Sequence, residues 1–190
     1  MHNLKVSFLS SKQGGFKALA LTLVLSLLTF TIALAASGDL DPTFSGDGKV
    51  TTDFLGALNE WARDMAIQSD GKIVAVGPAC GPFSSELKCV FSIARYNSNG
   101  TLDTTFSWDG KVVTDFGPAD EALGVAIQTD GKIVVVGQKC AAGLTSCDLA
   151  MARYKPDGSL DPAFSGDGKL TTNFGSGDNG SYGGMAIQSN

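Results

Sequence analysis

Two classes of side chain in this sequence carry chemistry beyond packing: four cysteines and a recurring set of aspartates. The cysteines form two close pairs, Cys80 with Cys89 and Cys140 with Cys147. Paired thiols close disulfides or hold a soft metal, and the lack of any C-x-x-C spacing puts the metal second. Four cysteines allow three connectivities. Cys80 and Cys140 hold matching places in a repeat, as do Cys89 and Cys147, so pairing within each repeat is the simplest assignment.

The aspartates Asp41, Asp103 and Asp161 precede Pro42, Thr104 and Pro162. A carboxylate followed by proline suits a helix start, where the acid accepts a backbone N–H and proline sits where none is needed. The reading predicts a short helical turn anchoring Phe44, Phe106 and Phe164 in the core. The rival use of these oxygens is calcium. Asn97-x-Asn99-Gly100-x-x-Asp103, with Asp109 nearby, is oxygen-rich, but it lacks the D-x-D-x-D-G order and the bidentate glutamate of a calcium loop. No cofactor is therefore assigned, and calcium stands as the minor alternative.

Other chemistries lack their parts. His2 is the single histidine and lies in the amino-terminal leader, so the remainder has no Ser-His-Asp or Cys-His site and no histidine ligand for zinc or copper. The Gly-Lys pairs at 48–49, 71–72, 110–111, 131–132 and 168–169 have neither the earlier glycine nor the following Ser or Thr of a phosphate loop. They read as turn exits. Asn99-Gly100-Thr101 and Asn179-Gly180-Ser181 match the short glycosylation sequon. Trp61, and Trp108 where other copies have Gly46 and Gly166, are candidates for stacking on sugars or peptides, with partly buried packing as the commoner role of tryptophan.

The leader is legible. Lys5, Lys12 and Lys17 precede the uncharged apolar run Ala18–Leu34, and Ala33-Leu34-Ala35 offers a small-x-small cleavage pattern. Residues 1–35 are assigned as a signal peptide, with an uncleaved anchor as the alternative, and both place the rest outside the cytoplasm: secreted, at the cell surface or in the periplasm. No other stretch is apolar and long enough to span a bilayer. Removing 1–35 leaves 11 basic against 19 acidic residues, a net charge of −8 (11 − 19). That balance argues against nucleic acid and against an anionic membrane surface as partners. An even cysteine count suits an exported, oxidising setting.

Residues 36–190 are organised by a repeat. Ala66–Gly77 reads AIQSDGKIVAVG, Ala126–Gly137 reads AIQTDGKIVVVG, and AIQSN begins at Ala186, so units start near 66, 126 and 186. Each full copy sets two apolar runs around Asp-Gly, a strong hairpin signal. Leu40–Phe54 returns as Leu102–Phe116 and Leu160–Phe174, and Ala94–Gly100 returns as Ala152–Gly158. The first complete unit reads as four strands, at Asp64–Gln68, Lys72–Gly77, Val90–Asn97 and Gly110–Phe116, with a cysteine-bearing loop between the second and third. The continuous runs Ile73–Val76 and Ile133–Val136 imply strands covered on both faces. The fold class is therefore all-β: β-propeller-type repeats of four-stranded antiparallel blades, about two and a half of them, after a signal segment. Ile67, Ile73, Val76, Ile127, Ile133, Val135, Phe44, Phe106 and Phe164 are expected to be buried. At about 60 residues per blade a closed ring is much longer than this chain, so the region reads as an incomplete propeller from a longer protein.

The phrases AIQ-DGKIVV-G, ARYN-P/N-DG and LD-TFSGDGKV-TDF, recurring in one order across nearly all of residues 38–190, resemble the delta-60 repeat of bacterial extracytoplasmic proteins. The resemblance implies a β-propeller fold and an exported setting. It supplies no catalytic residue. The expected role is a non-catalytic recognition or surface module with a protein or glycan partner. The alternative is part of an exported enzyme whose catalytic residues lie in further blades or another domain. Specificity is expected in the connections that differ between copies, Leu55–Met65 against Gly117–Val125 and Pro78–Ile93 against Gln138–Met151.

Overall fold

Each Asp-Gly pair reverses the chain as its sequence demands. Gly71 and Gly131 adopt φ of 82° and 79°, where side chains are disfavoured, and the turns close through Gln68 N–H to Lys72 O and Gln128 N–H to Lys132 O, both 2.8 Å. In the computed structural model, residues 38–54, 56–83, 86–142, 146–175 and 185–188 are described. The leader assigned to 1–35 lies outside them.

Among the described residues nine strands follow in order: β1 Asn59–Glu60, β2 Asp64–Ile67, β3 Ile73–Phe83, β4 Glu86–Tyr96, β5 Lys111–Thr114, β6 Ala119–Ile127, β7 Ile133–Cys140, β8 Cys147–Tyr154 and β9 Lys169–Thr172. They form two four-stranded antiparallel units, β2-β3-β4-β5 and β6-β7-β8-β9, with β1 added to the far end of β3. One parallel pair, Cys89 with Ala119, links the units into an open mixed sheet. The described residues are strands, turns and bends with no α-helix, and no helix among them is long and apolar enough to cross a membrane.

The four expected strands of the first unit are present, but the cysteine-bearing loop is not a loop. β3 and β4 run on as paired arms, so that Cys80 faces Cys89, and Phe83 faces Glu86 at the last rung. Pro78 and Pro82 would each remove a ladder hydrogen bond from a central strand if their N–H positions faced β4. The carbonyl of Cys80 accepts the Leu58 N–H on the side away from β4, and Pro78 and Pro82 share its parity. Their missing N–H groups therefore face the sparsely paired side and leave the ladder to β4 whole. In the second unit Ala119–Ile127 is one strand with a bulge between Ala122 and Gly124, doing the work of both β1 and β2.

Both faces of the inner strands are used. Val74, Val76, Phe91 and Ile93 pack with Ile133, Val135, Ala152 and Tyr154 between the units. Ile73 and Ala75 turn the opposite way, towards Phe54, Ala94 and Tyr96. Of the nine side chains expected to be buried, Val76, Ile133, Val135 and Phe106 are, while Ile73, Ile127, Phe44 and Phe164 are half-buried. Ile67 is 70% exposed. Its equivalent Ile127 packs against the core between the units, whereas Ile67 is absent from that core and borders an open cleft.

The segment 48–54 lies on the first unit as β5 lies on the second. Thr52 Oγ1 meets Tyr96 Oη at 2.6 Å, and Thr114 Oγ1 meets Tyr154 Oη at 2.7 Å. Ser45 N–H donates to Asn99 O, and Ser107 N–H to Asp157 O. Phe54 N–H donates to Glu60 and Phe116 N–H to Asp120, each at 2.6 Å. Between the inner strands, Val125 N–H donates to Asp64 Oδ2 at 2.9 Å. The stacking of units is thus one set of contacts made twice.

The three phenylalanines report what this stacking covers. Asp41, Asp103 and Asp161 cap their turns as expected, each accepting the N–H two residues on. Phe106 has an arginine on one side, with Arg95 4.5 Å from its ring centroid, and the Gly158 turn of the next unit on the other, where a β-carbon would sit 3.0 Å away. Phe164 has Arg153 at 4.9 Å. Phe44 has the Gly100 turn, with 3.2 Å to a β-carbon there. Among the described contacts Phe106 alone has both flanks, and it alone is fully buried. Arg95 also binds Asp103 at 2.8 Å and reaches the Pro156 carbonyl of the next unit at 2.5 Å.

Removing either partner of a buried ion pair strands a charge. Arg95 is 6% exposed and Arg153, paired with Asp161, is 20% exposed. Asp103→Ala is therefore expected to cost about 3–5 kcal/mol in urea unfolding, and Asp161→Ala distinctly less, because Arg153 can rehydrate.

Candidate functional site

The turns between first and second strands and the LDxxF turns crowd one end of the units. Between the Gln68–Lys72 and Gln128–Lys132 turns lies an open cleft of about 790 Å³, bordered by Ile67, Ile127, Arg95 and Pro156. Its charges are matched internally. Lys72 Nζ binds Asp70 at 2.6 Å, Lys132 pairs with Asp130, and Arg95 is held by Asp103. The lysine hydrogen bonds hold both carboxylates below their usual range. The Gly-Lys pairs are turn exits here: Lys72 and Lys132 each donate their N–H to the aspartate two residues earlier.

Gln68 and Gln128 hold the same place in successive repeats and both line the cleft. Their side-chain oxygens are buried and have no hydrogen-bond partner among the described residues. An acceptor in that state is unusual in a folded protein. Nothing in the sequence reading singled these glutamines out. The available signal was a polar residue recurring at the end of an otherwise apolar run.

Trp108 stands near the same end. It is 92% exposed, and its φ of 73° lies in the left-handed region where Gly46 and Gly166 have 88° and 92°. Ser107, just before it, donates to Asp157 O at 2.8 Å, and Pro156 borders the cleft. Trp61 is more covered, with Arg63 5.4 Å from its ring, and borders a second concavity of about 340 Å³ between 50–54 and the β3–β4 face.

The cysteines lie at the other end, on the β3–β4 and β7–β8 hairpins. Cys80 bonds Cys89 and Cys140 bonds Cys147, each pair with Cα atoms 4.0 Å apart across the ladder. The stretches expected to vary as loops are therefore largely strand. The calcium candidates are directed elsewhere: Asn99 caps Thr101, Asp103 holds Arg95 and Thr105, and Asp109 caps Lys111. Among the described residues no three His, Cys, Asp or Glu side chains converge as metal ligands. Asn99 is exposed, and Asn179 lies outside the described residues.

The matching turn chemistry of the two units frames the comparison with known families. Residues 90–106 and 128–164 match a beta-propeller domain of unknown function, DUF5122. The match covers β4 from Val90 with its LDxxF turn and, in the next unit, Gln128 through Phe164, so it follows the structural repeat. It supports a beta-propeller repeat family. No curated protein matches the chain.

One buried carboxylate, unlike Asp103 and Asp161, is not held by an arginine. Asp120 is buried, and its Oδ2 accepts N–H groups from Phe116 and Gly117 at 2.6 and 3.0 Å, while Oδ1 has no partner among the described residues. Burial raises its pKa from 3.8 to about 6, against the opposing pull of those N–H groups; Asp115 adds to the rise and Lys139 reduces it. A raised acid pKa means that the fold prefers the protonated form. Its contribution therefore weakens stability as pH rises from about 4 to about 6, and the loss persists above that range. Asp120→Asn keeps an acceptor for both N–H groups. It is expected to raise the melting temperature at pH 7 and to flatten its decline between pH 4 and 6.5 in a thermal series.

Proposed function

We propose that this chain is an exported, non-catalytic propeller module that recognises a glycan or protein, or serves as surface structure, built from delta-60-type repeats. The observation that carries the reading is the duplicated stacking set. One face of each unit packs against the other, and Asp64, Arg63 and Arg95 reach across the join, which leaves the turn ends as the surfaces that present chemistry outward. Two cross-strand disulfides favour an oxidising compartment. The net charge of −8 on residues 36–190 favours a partner other than nucleic acid or an anionic membrane. No cofactor is invoked.

The second reading, part of an exported enzyme, draws on Asp120, since a buried carboxylate with a raised pKa is a common catalytic device. Asp120 faces the backbone of its own connection and borders none of the concavities described above, which favours the structural role. Two measurements test the proposal. Expressed with its leader in a bacterium, the protein should be recovered outside the cytoplasm, beginning at Ala36, with Cys80–Cys89 and Cys140–Cys147 peptides in a non-reducing map. Ligands captured from glycan and surface-protein panels should elute unaltered. Reduced protein retained in the cytoplasm, or a captured ligand returned cleaved or modified, would sink the reading.

A further inference from the structure

We propose that the cleft between the Gln68–Lys72 and Gln128–Lys132 turns binds a neutral oligosaccharide, with the two glutamine carboxamides as its hydrogen-bonding groups and Trp108 as an aromatic platform beside it. This names a ligand class for the recognition reading and rests on that reading.

Four features select the chemistry. The cleft, at about 790 Å³, has the capacity of a small-ligand site. Its charges are already compensated, Asp70 by Lys72, Asp130 by Lys132 and Arg95 by Asp103, so a charged ligand would find no free counter-ion. Gln68 Oε1 and Gln128 Oε1 need donors. Both are buried, and a hydroxyl meets them once the carboxamide turns about its terminal torsion, which is broad and roughly two-fold. Ile67, Ile127 and Pro156 add apolar surface for the C–H faces of a sugar ring.

A hydroxyl-rich ligand answers this better than a peptide. A peptide brings a carbonyl acceptor with each N–H, and part of its backbone would oppose the glutamine oxygens. Sugar hydroxyls both donate and accept. The two acceptors are also repeat equivalents, 60 residues apart, and a polymer of identical sugar units offers equivalent donors in series. Trp108 supplies what such sites usually need beside their polar groups, a bare aromatic face. Its indole is 92% exposed on a left-handed backbone that favours glycine, and the Lys155–Gly158 turn that receives the Ser107 N–H also brings Pro156 to the cleft. Strain of this kind at an exposed side chain points to a role outside the fold.

The test uses the full oxidised chain, titrated calorimetrically and by tryptophan fluorescence with cellohexaose, maltohexaose and chitohexaose. At least one should bind saturably and be recovered intact. Gln68→Ala and Gln128→Ala should each weaken that binding roughly tenfold, the loss of about one hydrogen bond. Trp108→Gly should abolish the fluorescence response and weaken binding while leaving the melting temperature unchanged or higher, as the Gly46 and Gly166 turns imply; that result separates lost stacking from lost folding. Failure of all three hexaoses to bind, or binding indifferent to both glutamine substitutions, overturns the cleft. A protein ligand held with an affinity indifferent to those substitutions also overturns it, yet leaves the recognition reading standing. Conversion of the hexaose to products overturns both.

Discussion

The guanidinium of Arg95 ties three parts of the chain together. It binds Asp103 and Thr105 in the turn that follows its own strand, lies over the Phe106 ring, and reaches the Pro156 carbonyl of the next unit. A planar fork of donors can serve several acceptors at fixed angles, which lysine cannot do. Burial would raise the pKa of Asp103, but the Thr105 hydrogen bonds and the neighbouring arginine outweigh it and hold the carboxylate below its usual value. The turn, the ring and the neighbouring unit are therefore held in one arrangement. With it are set the end of the cleft at Pro156 and the turn that carries Trp108.

That dependence explains how the hydrophobic core is distributed. A single unit has two apolar faces and cannot bury both alone. The first unit covers one face with the second unit and the other only partly, with the 48–54 segment. The residues nearest the uncovered part, Met65 and Ile67, are exposed, although their equivalents Val125 and Ile127 pack inward. Burial here is a property of neighbours as much as of sequence.

For that reason some features were legible in the sequence and others were not. The Asp-Gly turns, the four strands of each unit and the pairing of cysteines follow from local pattern, and the structure holds each of them. Ile67 misled because its apolar character matches Ile127 and its surroundings do not. The cysteine hairpin is strand and not loop because Pro78 and Pro82 direct their missing N–H groups to the sparsely paired side of β3. Gln68 and Gln128 went unremarked, since an unpartnered oxygen is defined by everything that fails to reach it. The strain at Trp108 was half visible: the sequence shows tryptophan where other copies have glycine, but the sign of φ needed the fold.

The two cysteine hairpins differ in length, with nine residues of separation in the first and seven in the second, yet both close with their cysteines directly opposed. The second is shorter by two residues. An even change of this kind leaves every side chain on the same face and every rung below the disulfide in register, whereas an odd change must be absorbed in the turn itself. The disulfide thus marks a boundary. Below it the two hairpins are matched rung for rung; beyond it they differ in length by a pair of residues while the rungs below stay in register. That makes the tip a natural insertion point, for divergence between copies and equally for a grafted peptide.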